Sequence, residues 1–212
     1  MTLPLFPPDP REMLSAGAWL LRGYALDAAP TLLEEIGEVL NQAPLRHMVT
    51  ASGHRMAVAM SNCGARGWVS DRSGYRYAPL DPASGLAWPA MPASFSALAA
   101  QAAGAAGFVH FTPDACLINR YASGTRLSLH QDQDERDFSQ PIVSVSLGVS
   151  ATFLFGGARR QDKPLRVALE HGDVVVWGGP ARRNFHGVAD LIGAHHPTTG
   201  VYRFNLTFRR AT

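Results

Sequence analysis

The sequence predicts a single α+β domain, mainly β, with N-terminal helices packed against a sheet-rich half. Three observations carry this. The 212 residues, 46% of them hydrophobic, suffice for one sizeable core and leave little room for a second. Apolar residues recur at helical spacing only before about residue 106. From about 114 onward the chain breaks into short alternating segments separated by Gly, Pro and Asp turns.

Taken in order, the opening MTLPLFPPDPR is rich in proline and reads as a flexible lead-in over residues 1–11, ahead of one continuous domain at 12–212. Leu32, Leu33, Ile36, Val39 and Leu40 then predict a helix from about 30 to 41, with Asp27 as its cap and Pro30 tolerated in the first turn. An alanine-rich helix follows at about 93–106 and stops at Gly107. The strands are DACLINRYA, TRLSLHQD, IVSVSLG, ATFLF, LRVALE, DVVVW and VYRFNLTFR. So many short strands imply two packed antiparallel sheets. A jelly roll is one such arrangement, and alternation alone does not separate it from other sandwiches or barrels.

Composition narrows the function. Two cysteines, Cys63 and Cys116, without CxxC spacing argue against a disulfide framework or a cysteine zinc site and fit a reducing cytoplasm. No apolar run reaches the length of a membrane span, and the early prolines do not suit a signal peptide, so a cytoplasmic protein with no membrane partner is expected. A formal net charge of +2 is too small for a protein that coats nucleic acid, and any phosphate contact should be confined to one face.

Chemistry enters at His130-Gln131-Asp132. Strand residues two apart share a face, so this imidazole and this carboxylate can approach one metal ion from the same side. A second H-x-D, His171-Gly172-Asp173, reads better as a turn, because its central glycine immediately precedes the buried run VVVW. His186, in FHGV, completes two histidines and one carboxylate, the facial set that holds non-haem Fe(II) and leaves three positions open. In VYRFNLTFR, Tyr202, Phe204, Leu206 and Phe208 fall on one face, and Arg203, Asn205, Thr207 and Arg209 on the other. Two inward arginines are costly unless each meets an anion, and a small dicarboxylate suits their planar forks. An exposed sheet face with solvated charges is the alternative for this strand alone.

Together, Arg203-x-Asn205-x-Thr207-x-Arg209, the segment Asn119-Arg120-Tyr121-Ala122-Ser123-Gly124 ahead of His130-x-Asp132, and NCG at 62–64 followed by GYRYAPLDP resemble the AlkB family of Fe(II)- and 2-oxoglutarate-dependent dioxygenases. The resemblance runs from about 12 to 210. It implies a double-stranded β-helix (jelly roll) core over about 114–210 and a nucleotide-recognition lid over about 45–80. His130, Asp132 and His186 would ligate iron. Arg203, helped by Asn119 and Tyr121, would take the distal carboxylate of 2-oxoglutarate, and Asn205 and Arg209 would steady its chelating end. With O2 as the oxidant, the implied reaction removes alkyl groups from bases such as N1-methyladenine and N3-methylcytosine in single-stranded DNA or RNA, releasing succinate and formaldehyde. Trp68, Tyr75 and Tyr77 would stack on the extruded base, Asp134 would contact it, and Arg160 would hold the strand.

Two departures bear on substrate range: His54 stands where the family's lid carries an aromatic, and Phe204 interrupts the polar texture of the last signature. A monomer is expected. Rival readings are a 2-oxoglutarate dioxygenase acting on modified tRNA, protein or a small metabolite, and a non-catalytic jelly-roll binding module.

Overall fold

A computed structural model describes residues 10–212. Most of the expected lead-in lies outside these residues, and its end at residue 11 is corrected because Arg11 opens a strand. Chain order runs β1 (Arg11–Ser15), β2 (Ala18–Leu21), α1 (Ala29–Gln42), β3 (Ala59–Gly64), β4 (Gly67–Asp71), β5 (Gly74–Ala78) and α2 (Ala93–Ala105). It continues through β6 (Ala115–Tyr121), β7 (Leu127–His130), β8 (Ile142–Gly148), β9 (Ala151–Phe155), β10 (Leu165–Leu169), β11 (Val174–Trp177), β12 (His186–Val188) and β13 (Arg203–Arg209).

Seven strands form a large sheet in the order β1-β2-β11-β8-β13-β6-β3, and four form a smaller one, β10-β9-β12-β7. All pairings are antiparallel. The result is the jelly-roll sandwich. One core lies between the sheets, where Leu117, Tyr121, Ile142, Val175 and Trp177 meet Phe153, Phe155 and Val188. A second lies on the outer face of the large sheet, where Leu32, Ile36 and Val39 of α1 and Phe95, Leu98 and Ala102 of α2 pack on Ile118, Val145, Leu206 and Phe208. Both faces of the large sheet are therefore buried. That explains why VVVW and IVSVSLG are continuously apolar or small instead of alternating.

The helices fall within a residue of their expected bounds. Asp27 does not cap α1: the cap position is Ala28, which makes no side-chain capping bond, and Pro30 sits in the first turn. Gly107 follows α2 with φ +90°, a conformation that suits glycine. β1 and β2 have no counterpart in the expected elements, because AWLL is buried on nearly every side and carries no period-two signal. Within the expected lid range, β3 is instead the edge strand of the large sheet, and β4 and β5 form a separate hairpin. Among the described residues no helix is long and apolar enough to cross a membrane.

Candidate active site

The site forms where the small sheet faces β13. His130 ends β7 and His186 begins β12, and the two are directly paired across the strands, with ring centroids 4.4 Å apart. Asp132 leaves β7 two residues later and turns its carboxylate between them, with Oδ1 3.7 Å from His130 Nε2 and Oδ2 3.8 Å from His186 Nε2. One donor atom from each residue lies within 4.8 Å of the others, and this is the one such metal-capable group among the described residues.

Outer contacts fix the tautomers. His130 Nδ1 lies 2.9 Å from the Ser128 carbonyl and His186 Nδ1 lies 3.0 Å from that of Asn184. A carbonyl only accepts, so each Nδ1 carries the proton and each Nε2 lone pair faces Asp132. Burial, reinforced by neighbouring His130, draws His186 down to about 4, which keeps its imidazole neutral. Burial alone would raise Asp132, but the Arg209 guanidinium outweighs it and holds the carboxylate well below the usual range. Two imidazole nitrogens and one ionised carboxylate oxygen grouped on one side fit Fe(II) with open positions.

On β13, Arg203 is fully buried, and its Nη2 donates to Ser146 Oγ at 2.7 Å. Its Nε is buried without a hydrogen-bond partner, and no carboxylate pairs with it among the described residues. Burial pulls this guanidinium down to about 10, opposed by the nearby Tyr121 and Asp173. A buried cation with a donor left over is a site for an anion. Tyr121 is its cross-strand neighbour, and Asn119 Oδ1 is likewise buried and unpartnered. Arg203 and the Tyr121 hydroxyl fit one carboxylate of a dicarboxylate such as 2-oxoglutarate, whereas Asn119, whose Nδ2 donates to Asn205, presents an acceptor.

Asn205 is engaged by the protein itself, donating to Ser144 Oγ and the Val145 carbonyl and accepting from Thr207 and Asn119. Arg209 binds Asp132 and also faces Glu135 at 3.3 Å. Glu135 is buried, pairs with buried Arg182 at 3.0 Å and accepts from the Tyr77 hydroxyl at 2.7 Å. Sequence reasoning missed Glu135, Arg182 and Trp177, whose ring lies 4.9 Å from His186. The run QDQDERD offered one signal, since two acidic residues follow the H-x-D pair within three positions.

Above this centre, Trp68 and Tyr75 stack at 5.6 Å and 11°, and Trp68 Nε1 donates to Asp134 Oδ2 at 2.7 Å. Tyr77 lies opposite Trp68 on the same hairpin, but its hydroxyl is turned down onto Glu135. Arg160 is exposed, 5.8 Å from the ring of Phe185, the residue before His186. His54 sits in an exposed turn, bonded to Ser52. Phe204 packs on the helix side of the sheet, away from the polar row. The second H-x-D is structural: Gly172 has φ +86°, Asp173 accepts from Arg22 and from two backbone amides, and His171 Nδ1 accepts from the Gly148 amide.

This sandwich and its facial His-Asp-His set define a class, and residues 17–209 match the family model of the 2OG-Fe(II) oxygenase superfamily. The chain is 57% identical over 201 residues to the alpha-ketoglutarate-dependent dioxygenase AlkB of Salmonella typhimurium and 55% identical to that of Escherichia coli, covering 95% of this chain and 93% of each relative. The solved structure of OsALKBH1 superimposes with a TM-score of 0.84 at 30% identity, over 95% of this chain and all of that one. The chain belongs to the 2OG-Fe(II) oxygenase superfamily and, within it, to the AlkB family. It is accordingly an Fe(II)-dependent dioxygenase with 2-oxoglutarate and O2 as cosubstrates.

Proposed function

We propose that this enzyme oxidatively demethylates N-alkylated bases, N1-methyladenine and N3-methylcytosine foremost, in single-stranded DNA or RNA, forming succinate and formaldehyde and acting as a monomer. One observation carries the reading: Asp134 is fixed by the Trp68 indole beside the Trp68–Tyr75 stack, two residues along the chain from Asp132. A planar base made cationic by methylation suits an anion held against an aromatic pair.

His130, Asp132 and His186 hold the iron, which with 2-oxoglutarate and O2 supplies an oxidant able to attack a methyl group. Arg203, with Tyr121, receives the distal carboxylate of 2-oxoglutarate, and Asn119 joins them once its amide turns Nδ2 from Asn205 toward that carboxylate. Arg209 fixes Asp132 and faces the chelating end. The Trp68–Tyr75 pair offers its free outer ring face to the base, Tyr77 ties their hairpin to Glu135, Asp134 meets the base's positive edge, and Arg160 receives the strand. Trp177 and Phe153 close the imidazole side against water.

Formaldehyde and succinate measured together on a panel of methylated oligonucleotides test this. Equimolar release from N1-methyladenine and N3-methylcytosine strands is expected. Succinate without formaldehyde on every strand defeats the reading in favour of another substrate class.

A further inference from the structure

Beside the base-recognition hairpin the surface carries a second concavity of about 240 Å³, to which Arg66, Arg76 and Arg136 all contribute. Three guanidiniums from separate stretches of chain converge there: Arg66 from the β3–β4 turn, Arg76 from β5 and Arg136 from the segment after Asp132. The hollow shares Tyr75 and Asp134 with the proposed base site, so it lies one step along any strand whose base is held by Trp68 and Tyr75. Two of the three guanidiniums are not paired within the described residues. Arg76 is taken by Asp71, through two bonds of 2.9 and 2.7 Å. The neighbouring chain end is taken by Arg210, whose Nε donates to Thr212 at 2.9 Å. Asp134 is turned to Trp68. Among the described residues, the side chains of Arg66 and Arg136 have neither a carboxylate nor a hydrogen-bond partner, whereas Arg76 beside them is paired with Asp71.

We propose that Arg66 and Arg136 form a phosphate subsite for a nucleotide flanking the damaged base, with Arg76 shaping its wall. This rests on the nucleic-acid reading above and adds to it where the strand runs: over the β4–β5 hairpin toward the C-terminal strand end. A planar guanidinium pair with no internal anion suits a phosphodiester, whose charge does not depend on base identity.

The test compares wild type, Arg66→Ala, Arg136→Ala, the double variant and Arg166→Ala, an exposed arginine on β10 that controls for lost charge. Each is assayed on the free nucleoside N1-methyladenosine, which has no phosphate, and on methylated pentanucleotides of DNA and RNA, with formaldehyde as readout. Anisotropy binding to the same strands is followed against salt. Expected are unchanged nucleoside turnover and a loss of about tenfold in kcat/KM on both pentanucleotides in the double variant. The log–log salt slope should become shallower by about 0.7, one phosphate contact on a single strand. An unchanged slope, or a loss equal to that of Arg166→Ala, overturns the subsite. A loss confined to RNA overturns the assignment to phosphate. Absence of formaldehyde from every strand with wild type defeats the demethylase reading instead, while the binding slopes still decide the subsite.

Discussion

Arg209 grips Asp132 through two nitrogens, Nε at 2.9 Å and Nη2 at 2.7 Å, both on Oδ2. That contact commits one carboxylate oxygen to the large sheet and leaves Oδ1, on the His130 side, for a metal. The carboxylate is held in orientation before any ion arrives, so little ordering remains to be done on binding.

Asp132→Asn should therefore lower iron affinity by tenfold or more and abolish turnover. The fold should persist, because Arg209 retains Glu135. Metal titration by calorimetry alongside circular dichroism checks both. Asp173→Asn should do the reverse: metal binding intact, and stability lower by about 3 kcal/mol through the weakened Arg22 pair and the amides it serves. Exchange of these two phenotypes would place the metal at the other H-x-D.

Arg203→Lys should raise the KM for 2-oxoglutarate about tenfold or more despite the retained charge, since an ammonium cannot reproduce a two-pronged contact. Anaerobic calorimetry with 2-oxoglutarate reads this without turnover. An unchanged dissociation constant would mean that the buried guanidinium serves packing alone.

Glu135→Gln should cost about 3 kcal/mol of stability, because it strips the counter-charge from buried Arg182. It should also weaken iron several-fold, since Arg209 then acts undivided on Asp132 and makes it a poorer donor. Tyr77→Phe should leave iron affinity unchanged and loosen the hairpin, seen as faster amide exchange across residues 67–78. Equal exchange in wild type and variant would show that the hydroxyl does not tether the hairpin.

Methylated single strands should be demethylated faster than the same lesion in duplex, because extruding a paired base costs a few kcal/mol. Asp134→Asn should narrow the advantage of cationic lesions over neutral ones, whereas Trp68→Ala should raise KM for all of them. Competition between matched strands, with formaldehyde as readout, separates the two effects.

How far the sequence could be read follows from what each feature depends on. His130 and Asp132 were legible because both belong to one strand and its exit, where period two governs. The polar row of β13 was legible for the same reason. Gly172 marked the other H-x-D as a turn by its place before a buried run. Glu135 and Arg182 were not legible: they are 47 residues apart, and a buried ion pair leaves no local period. β2 was hidden by its burial on nearly every side, β1 is a short, largely exposed edge strand without apolar alternation, and the stack of Trp68 on Tyr75 depends on a hairpin register that no spacing announces.

The two halves of the reaction centre belong to different layers. The imidazoles of the metal-capable set stand on the four-stranded sheet and Arg203, the proposed anchor for 2-oxoglutarate, on the seven-stranded one, with the Asp132–Arg209 contact as a strut between them. Small shifts of one sheet over the other change the distance between oxidant and cosubstrate anchor without breaking a single strand pairing. Heat or mild denaturant should thus silence the enzyme before its secondary structure melts, and the strut sets how wide that interval is.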